Sequence, residues 1–294
     1  MDFRAIFMGL AFALMWSSAF TSARMIVADA PPFLALSLRF LLSGALAIGL
    51  AAASGQSWRL PRAQWRSVVI FGLCQNALYL GLNFMAMQWI EASLASIIAS
   101  TMPLIVAALG WLFYGQKLRP LGVSGLAGGV LGVIIIMSAR FSGQISLEGV
   151  ALCTLGALAL AVATLTVRGA TAGGNLLMIV GLQMLVGSVL LGGAALVDGD
   201  VHVNWTPRLA LAFAYTTLVP GLLATWVWFR LVDRIGAVRA ATFHFLNPFF
   251  GVAIAAALLH EKLRPADGLG VLIIAVGILA VQLSKQARTP AHKK

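Results

Sequence analysis

The sequence predicts an all-α integral membrane protein of ten transmembrane helices, arranged as two inverted five-helix repeats. Three observations predict it. Of 294 residues, 61% are hydrophobic and only 10% are charged, against about 25% charged in soluble domains, and the mean hydropathy is +0.96. The apolar residues form ten runs, each near the roughly 20 residues that cross a bilayer core. A charged turn, Lys-Leu-Arg-Pro, occurs twice in matching surroundings, at 117–120 and 262–265.

The first span is expected over Ile6–Val27. Met1, Asp2, Phe3 and Arg4 lead straight into it with no small-residue cleavage site behind, so it reads as a retained helix rather than a signal peptide. Pro31-Pro32 separates it from the second span, Phe33–Ala53, which Ser54-Gly55 closes. The third and fourth, Trp65–Gln88 and Ser93–Phe113, are split by the short polar stretch around Glu91. The fifth, Leu121–Ser138, follows the first Lys-Leu-Arg-Pro turn. Gly149–Val167 and Leu176–Val197 are split by Gly173-Gly174, and Leu209–Leu231, Ala237–Leu259 and Gly268–Ser284 complete the set. No gap is long enough for a soluble domain.

Lys and Arg sit unevenly in those gaps. One side holds Arg4, Arg59, Arg62, Arg66, Lys117, Arg119, Arg168, Arg230, Arg234, Arg239, Lys285, Arg288, Lys293 and Lys294. The other holds only Arg24, Arg140, Arg208, Lys262 and Arg264. The positive-inside rule therefore places both termini in the cytoplasm, as for a multi-pass protein of a bacterial inner membrane. The net charge of +11 is explained this way, and a nucleic-acid partner is not.

Residues 103–120 and 248–265 align without a gap, with proline at both ends and Lys-Leu-Arg-Pro at the close. Gly125 and Gly132 match Gly270 and Gly277 at the same offset, and one position less relates Arg24 to Arg168 and Arg39 to Gln183. This divides the chain into repeats 1–142 and 143–294. Five is odd, so the second copy enters the membrane inverted, which is a transporter architecture with its site near the midplane.

The pattern resembles the drug/metabolite transporter superfamily, specifically its EamA-type ten-helix exporters. The residues that carry the likeness are Met15-Trp16-Ser17-Ser18-Ala19-Phe20, Leu38-Arg39-Phe40-Leu41-Leu42, the paired prolines Pro103 and Pro248, and the two Lys-Leu-Arg-Pro turns. Within that superfamily the likeness is closest to the YddG-type aromatic amino-acid exporters. The resemblance implies export of small zwitterionic metabolites, above all aromatic amino acids.

Candidate cavity residues follow from polar and aromatic groups at membrane depth, which usually face a bundle interior or water. Gln75, Tyr79 and Asn83 recur at helical spacing with Asn76 beside them; helix–helix hydrogen bonding is the other reading of the same residues. Ser100 and Thr101 stand beside Pro103, and Phe243, His244 and Asn247 stand before Pro248. Trp16, Ser17, Tyr79 and Tyr215 supply deep aromatic or hydroxyl groups, and Trp226 and Trp228 supply further aromatic surface. Trp58, Trp65, Trp89, Trp111 and Trp205 fit an interfacial belt. Pro103, Pro220 and Pro248 are candidate hinges, each expected to free the carbonyl four residues earlier, on Ala99, Thr216 and His244. Arg39 either holds a substrate carboxylate or pairs with the outer loops, the second being preferred because its repeat mate is Gln183.

No cofactor or metal is expected, since Cys74 and Cys153 both lie in apolar runs. No Asp or Glu lies mid-span, which argues against proton-coupled export of cations. Proton coupling through His244 and uncoupled transport both stay open. A broader metabolite or drug exporter is the nearest alternative. A membrane-embedded transferase would need a carboxylate cluster, and a channel a filter-like loop; the sequence offers neither, so no enzymatic activity is expected.

Overall fold

In the computed structural model, residues 3–141, 146–166 and 175–286 are described. Arg168, Gly173, Gly174, Arg288, His292, Lys293, Lys294 and the boundary between the sequence repeats lie outside them. Ten helices among the described residues are long and apolar enough to cross a membrane. They are α1 Phe3–Val27, α2 Pro32–Ala53, α3 Arg62–Ala86, α4 Ala92–Phe113, α5 Pro120–Ala139, α6 Leu147–Leu165, α7 Leu176–Asp198, α8 Pro207–Ile235, α9 Ala241–Leu259 and α10 Pro265–Ser284. Each overlaps its expected span. Proline opens α2, α5, α8 and α10, where its missing N–H costs nothing. Gly115 and Gly199 terminate their helices with φ of 60° and 75°, a conformation that favours glycine. His260 does the same at the end of α9 with φ 55°.

Contacts sort the chain into two compact units. The first comprises Met1–Thr21, Glu91–Ser146 and Leu223–Lys294; the second comprises Ser22–Ile90 and Leu147–Leu222. Each unit draws helices from both sequence repeats, so the repeat and the compact unit are different divisions of the chain.

In the first unit, α5 and α10 touch main chain to main chain. A Cβ on Gly125 would lie 2.7 Å from the Gly277 carbonyl oxygen, and one on Gly132 would lie 2.8 Å from that of Gly270. The pairs run in opposite order along the two helices, so α5 and α10 are antiparallel. A Cβ on Gly129 would meet Leu104 of α4, while the Gly129 main chain also lies against Gly277, and Gly128 faces open space. The Glu261 carboxylate caps the start of α4, accepting from the N–H groups of Ala92 and Ser93.

In the second unit, α2 and α7 repeat the arrangement. Gly44 and Gly181 each bring a carbonyl to about 3 Å from the other's missing Cβ. The Ser37 and Ser188 hydroxyls each donate to the other's carbonyl at 2.9 Å. Arg24 donates to the Met87 carbonyl, and Asp29 accepts from Asn204 and Thr206, which ties the connections of this unit together.

The helices are interrupted at matching places. Gly72–Leu80 within α3 and Thr217–Leu223 within α8 are π-helical, and their first residues stand at the offset that relates the Lys-Leu-Arg-Pro turns. Likewise α4 breaks at Thr101, and α9 passes from a 3₁₀ turn, Ala241–Leu246, into α-helix at Asn247. Wide or tight turns inside long helices mark places where the i→i−4 ladder has been interrupted, often at functional positions.

Candidate functional site

The polar residues of α3 lie in its π turn and just beyond it. Gln75 is half-buried, while Asn76, Tyr79 and Asn83 are buried. Asn76 Nδ2 donates to the Gln183 carbonyl on α7 at 2.8 Å, and its side chain fills the space left by Gly187. Asn83 Nδ2 donates to the Tyr79 carbonyl at 2.7 Å and its Oδ1 accepts from Cys153 Sγ at 3.2 Å. These amides bind helices together inside the second unit, which is the helix-packing alternative rather than the cavity-lining expectation.

Two of the three proline carbonyls, those of His244 and Thr216, find partners. The 3₁₀ turn before Pro248 lets the Asn247 N–H donate to the His244 carbonyl, so that carbonyl is not freed. Near Pro103 the break at Thr101 shifts the pattern: the Thr101 N–H donates to Ile98, and the N–H groups of Leu104 and Ile105 both turn to the Thr101 carbonyl. Ser100 and Thr101 spend their hydroxyls on carbonyls of their own helix, at 2.6 and 2.7 Å. The π turn containing Pro220 offers Thr216 the N–H five residues on, that of Gly221, in place of the proline's missing one. Tyr215 is 39% exposed.

The remaining candidates come together in the first unit, around one aromatic cluster. Phe12 of α1 is buried and lies between Trp16, 5.7 Å away, and Trp228 of α8, 4.7 Å away, by ring centroids. His244 presents its ring edge-on to Phe12 at 5.4 Å and packs against Trp228 at 5.2 Å. Phe243 occupies the space left by Gly9 on α1. Asn247 follows His244 by one turn and joins it through Nδ2 and the imidazole Nδ1, 2.9 Å apart. With Nδ1 accepting, the ring proton sits on Nε2. Ser17 donates to the Asn247 carbonyl at 3.2 Å. Asn247 Oδ1 is buried with no hydrogen-bond partner among the described residues.

Of the residues singled out in the sequence, Trp16, Ser17, Phe243, His244, Asn247 and Pro248 therefore share one neighbourhood. Phe12 was missed, although it stands four residues before Trp16 on the same helical face. Trp228 had been read only as general aromatic surface. Trp226, two residues earlier, is exposed and carries Arg230 over its face at 5.5 Å. Trp58, Trp65, Trp89, Trp111 and Trp205 are all exposed.

The EamA-like transporter family model matches this chain twice, over residues 3–138 and 147–283. The chain belongs to that family. This EamA-family protein is thus a multi-pass membrane transporter. It is 28% identical over 279 residues to the uncharacterized transporter YvbV of Bacillus subtilis, covering 95% of this chain and 91% of that one. It is 26% identical to a probable amino-acid metabolite efflux pump of Salmonella typhimurium, covering 92% of each. It is also 26% identical to the uncharacterized inner membrane transporter YedA of Escherichia coli K12, over 94% of this chain and 90% of that one. A solved crystal structure superposes with a TM-score of 0.70 at 20% identity, covering 98% of this chain and 100% of its own, and so shares the fold.

Proposed function

We propose that this EamA-family transporter exports small zwitterionic metabolites, aromatic amino acids foremost, across a bacterial inner membrane, with both termini in the cytoplasm. The observation that carries the reading is the cluster of Phe12, Trp16, Trp228 and His244 above Asn247. Flat apolar walls in tilted and edge-on arrangements suit an aromatic ring. Asn247 Oδ1, which has no donor among the described residues, suits a substrate N–H. The name carried by the Salmonella relative, a probable amino-acid metabolite efflux pump, is compatible with this.

The mechanism we propose is alternating access by two oppositely inserted repeats around a mid-depth site. Its support is the pair of reciprocal contacts. Gly125 corresponds to Gly270 and Gly132 to Gly277 by repeat, yet Gly125 meets Gly277 and Gly132 meets Gly270. Equivalent helices packed antiparallel with their equivalents exchanged are what an inverted duplication produces.

Proteoliposomes holding the purified protein test the substrate. Labelled tryptophan and phenylalanine should accumulate or exchange above protein-free vesicles. Failure of both, with transport of a sugar or nucleotide derivative instead, refutes the amino-acid reading.

A further inference from the structure

Arg39 is the charged side chain that the aromatic cluster does not explain. It lies in the second unit, in the second turn of α2, and is only 6% exposed. Its Nε has no hydrogen-bond partner and its guanidinium makes no ion pair among the described residues; its one contact of note is the face of Phe40, 5.3 Å away. The expected pairing with outer loops is not present among the described residues. One helical turn on, Ser43 is 1% exposed and its hydroxyl also lacks a partner. A buried cation without a counter-charge is costly, more so inside a bundle that faces lipid. A buried hydroxyl without a partner adds to that cost.

Both groups converge on the π turn of α8. The point where a Cβ of Gly221 would sit lies 3.5 Å from Arg39 Nη2 and 3.5 Å from Ser43 Oγ. The residue there is glycine, and a single added carbon would already touch both groups. Two donors, one of them charged, thus converge on one point of the α8 main chain. The Thr216 carbonyl oxygen is 3.1 Å from the same point, so an acceptor lies on one side of it and donors on the other. A carboxylate carrying an N–H group on its neighbouring carbon matches that polarity, with the carboxylate towards Arg39 and Ser43. Guanidinium is suited to carboxylate by its forked donors.

We infer that Arg39, Ser43 and the Gly221 turn form a carboxylate-binding subsite of the transporter. This rests on the proposed function only for the molecule that bears the carboxylate. The subsite does not require an aromatic side chain.

Binding to the purified full-length protein in nanodiscs tests it, with three probes: tryptophan, indole-3-propionate, which keeps the carboxylate alone, and tryptamine, which keeps the amine alone. Tryptophan and indole-3-propionate should bind, and tryptamine should bind at least tenfold more weakly than tryptophan. Arg39→Gln should weaken the two carboxylates by roughly ten- to a hundredfold, the range of a hydrogen bond to a charged group, while Arg39→Lys recovers part of the loss. Ser43→Ala removes a hydroxyl that has no protein partner, so the protein should melt no lower while both carboxylates bind several-fold more weakly. Gly221→Ala should weaken them as well, because its methyl would crowd Arg39 Nη2 and Ser43 Oγ. If Arg39→Gln does not fold, Ser43→Ala and Gly221→Ala decide. Unchanged affinity for indole-3-propionate in folded Arg39→Gln, or in both of the other variants, overturns the subsite. So does competition by chloride at the concentrations where tryptophan competes. Arg39-dependent binding of indole-3-propionate without any tryptophan transport would sink the amino-acid reading and leave the subsite standing. Tryptophan transport indifferent to all the variants would do the reverse.

Discussion

The Glu261 carboxylate holds the first turn of α4: Oε1 accepts from Ala92 N at 2.8 Å and Oε2 from Ser93 N at 3.0 Å. A negative group at a helix N-terminus satisfies free N–H donors and complements the helix dipole. Its repeat counterpart, Gln116, turns back instead, with its amide packed over Gly110. Glu261→Ala should lower stability by about 1–2 kcal/mol, read as a lower melting temperature in detergent. Glu261→Gln, which keeps one acceptor, should fall between that variant and the parent, and Gln116→Ala should change little.

The glycine seam between α5 and α10 gives a sharp contrast. A methyl at Gly277 would meet the Gly125 carbonyl at 2.6 Å. Gly277→Ala should therefore cost about 1–3 kcal/mol as the helices are forced apart. Gly128→Ala meets nothing within 4 Å and should be neutral or slightly stabilising, because alanine is the better helix former. Thermal unfolding of the two variants side by side checks the packing.

Ring truncation tests the aromatic cluster. Trp228→Ala and Phe12→Ala should raise the KM for tryptophan by roughly two- to tenfold, the worth of an aromatic pair. Trp228→Phe should recover most of it. An alanine scan in which the KM for tryptophan stays flat would remove the cluster from the substrate path. If a proton accompanies the substrate, His244→Gln should abolish stimulation of uptake by an imposed pH gradient while exchange without a gradient persists.

Asn76 and Asn83 should behave as structural residues. Asn76→Ala leaves the Gln183 carbonyl without its donor, and Asn83→Ala strips partners from Tyr79 and Cys153. Each should cost about 1–3 kcal/mol with the KM of the surviving protein unchanged. A raised KM at full stability would return them to the cavity.

The spans were legible because hydrocarbon imposes its own length on apolar runs. The repeat was legible because Lys-Leu-Arg-Pro is a charged signal on an apolar background. What escaped was local winding. Nothing in Gly72–Leu80 distinguishes a π turn from an α turn by composition, and nothing in the amides of Asn76 and Asn83 tells a helix-packing partner from a substrate. The His244 carbonyl was misjudged for the same reason: a 3₁₀ turn supplies a donor three residues on, from Asn247, where an α turn with Pro248 has none. The aromatic cluster was half-visible. Trp16 and His244 stood out as rare residues at depth, but only folding reveals that Phe12 of α1 and Trp228 of α8 reach the same ring.

Where α5 and α10 meet, carbonyls rest against glycines, and Ile136, Ile274, Ala280 and Val281 lock in beside them. Such a junction has no slack to take up, so it behaves as a spine: the two helices travel together or not at all. Whatever bending turnover demands has to be found elsewhere, and the places already wound loosely are Gly72–Leu80 and Thr217–Leu223. A chemical staple from α5 to α10 should then leave cargo movement untouched, whereas a staple spanning either loose winding should stop it.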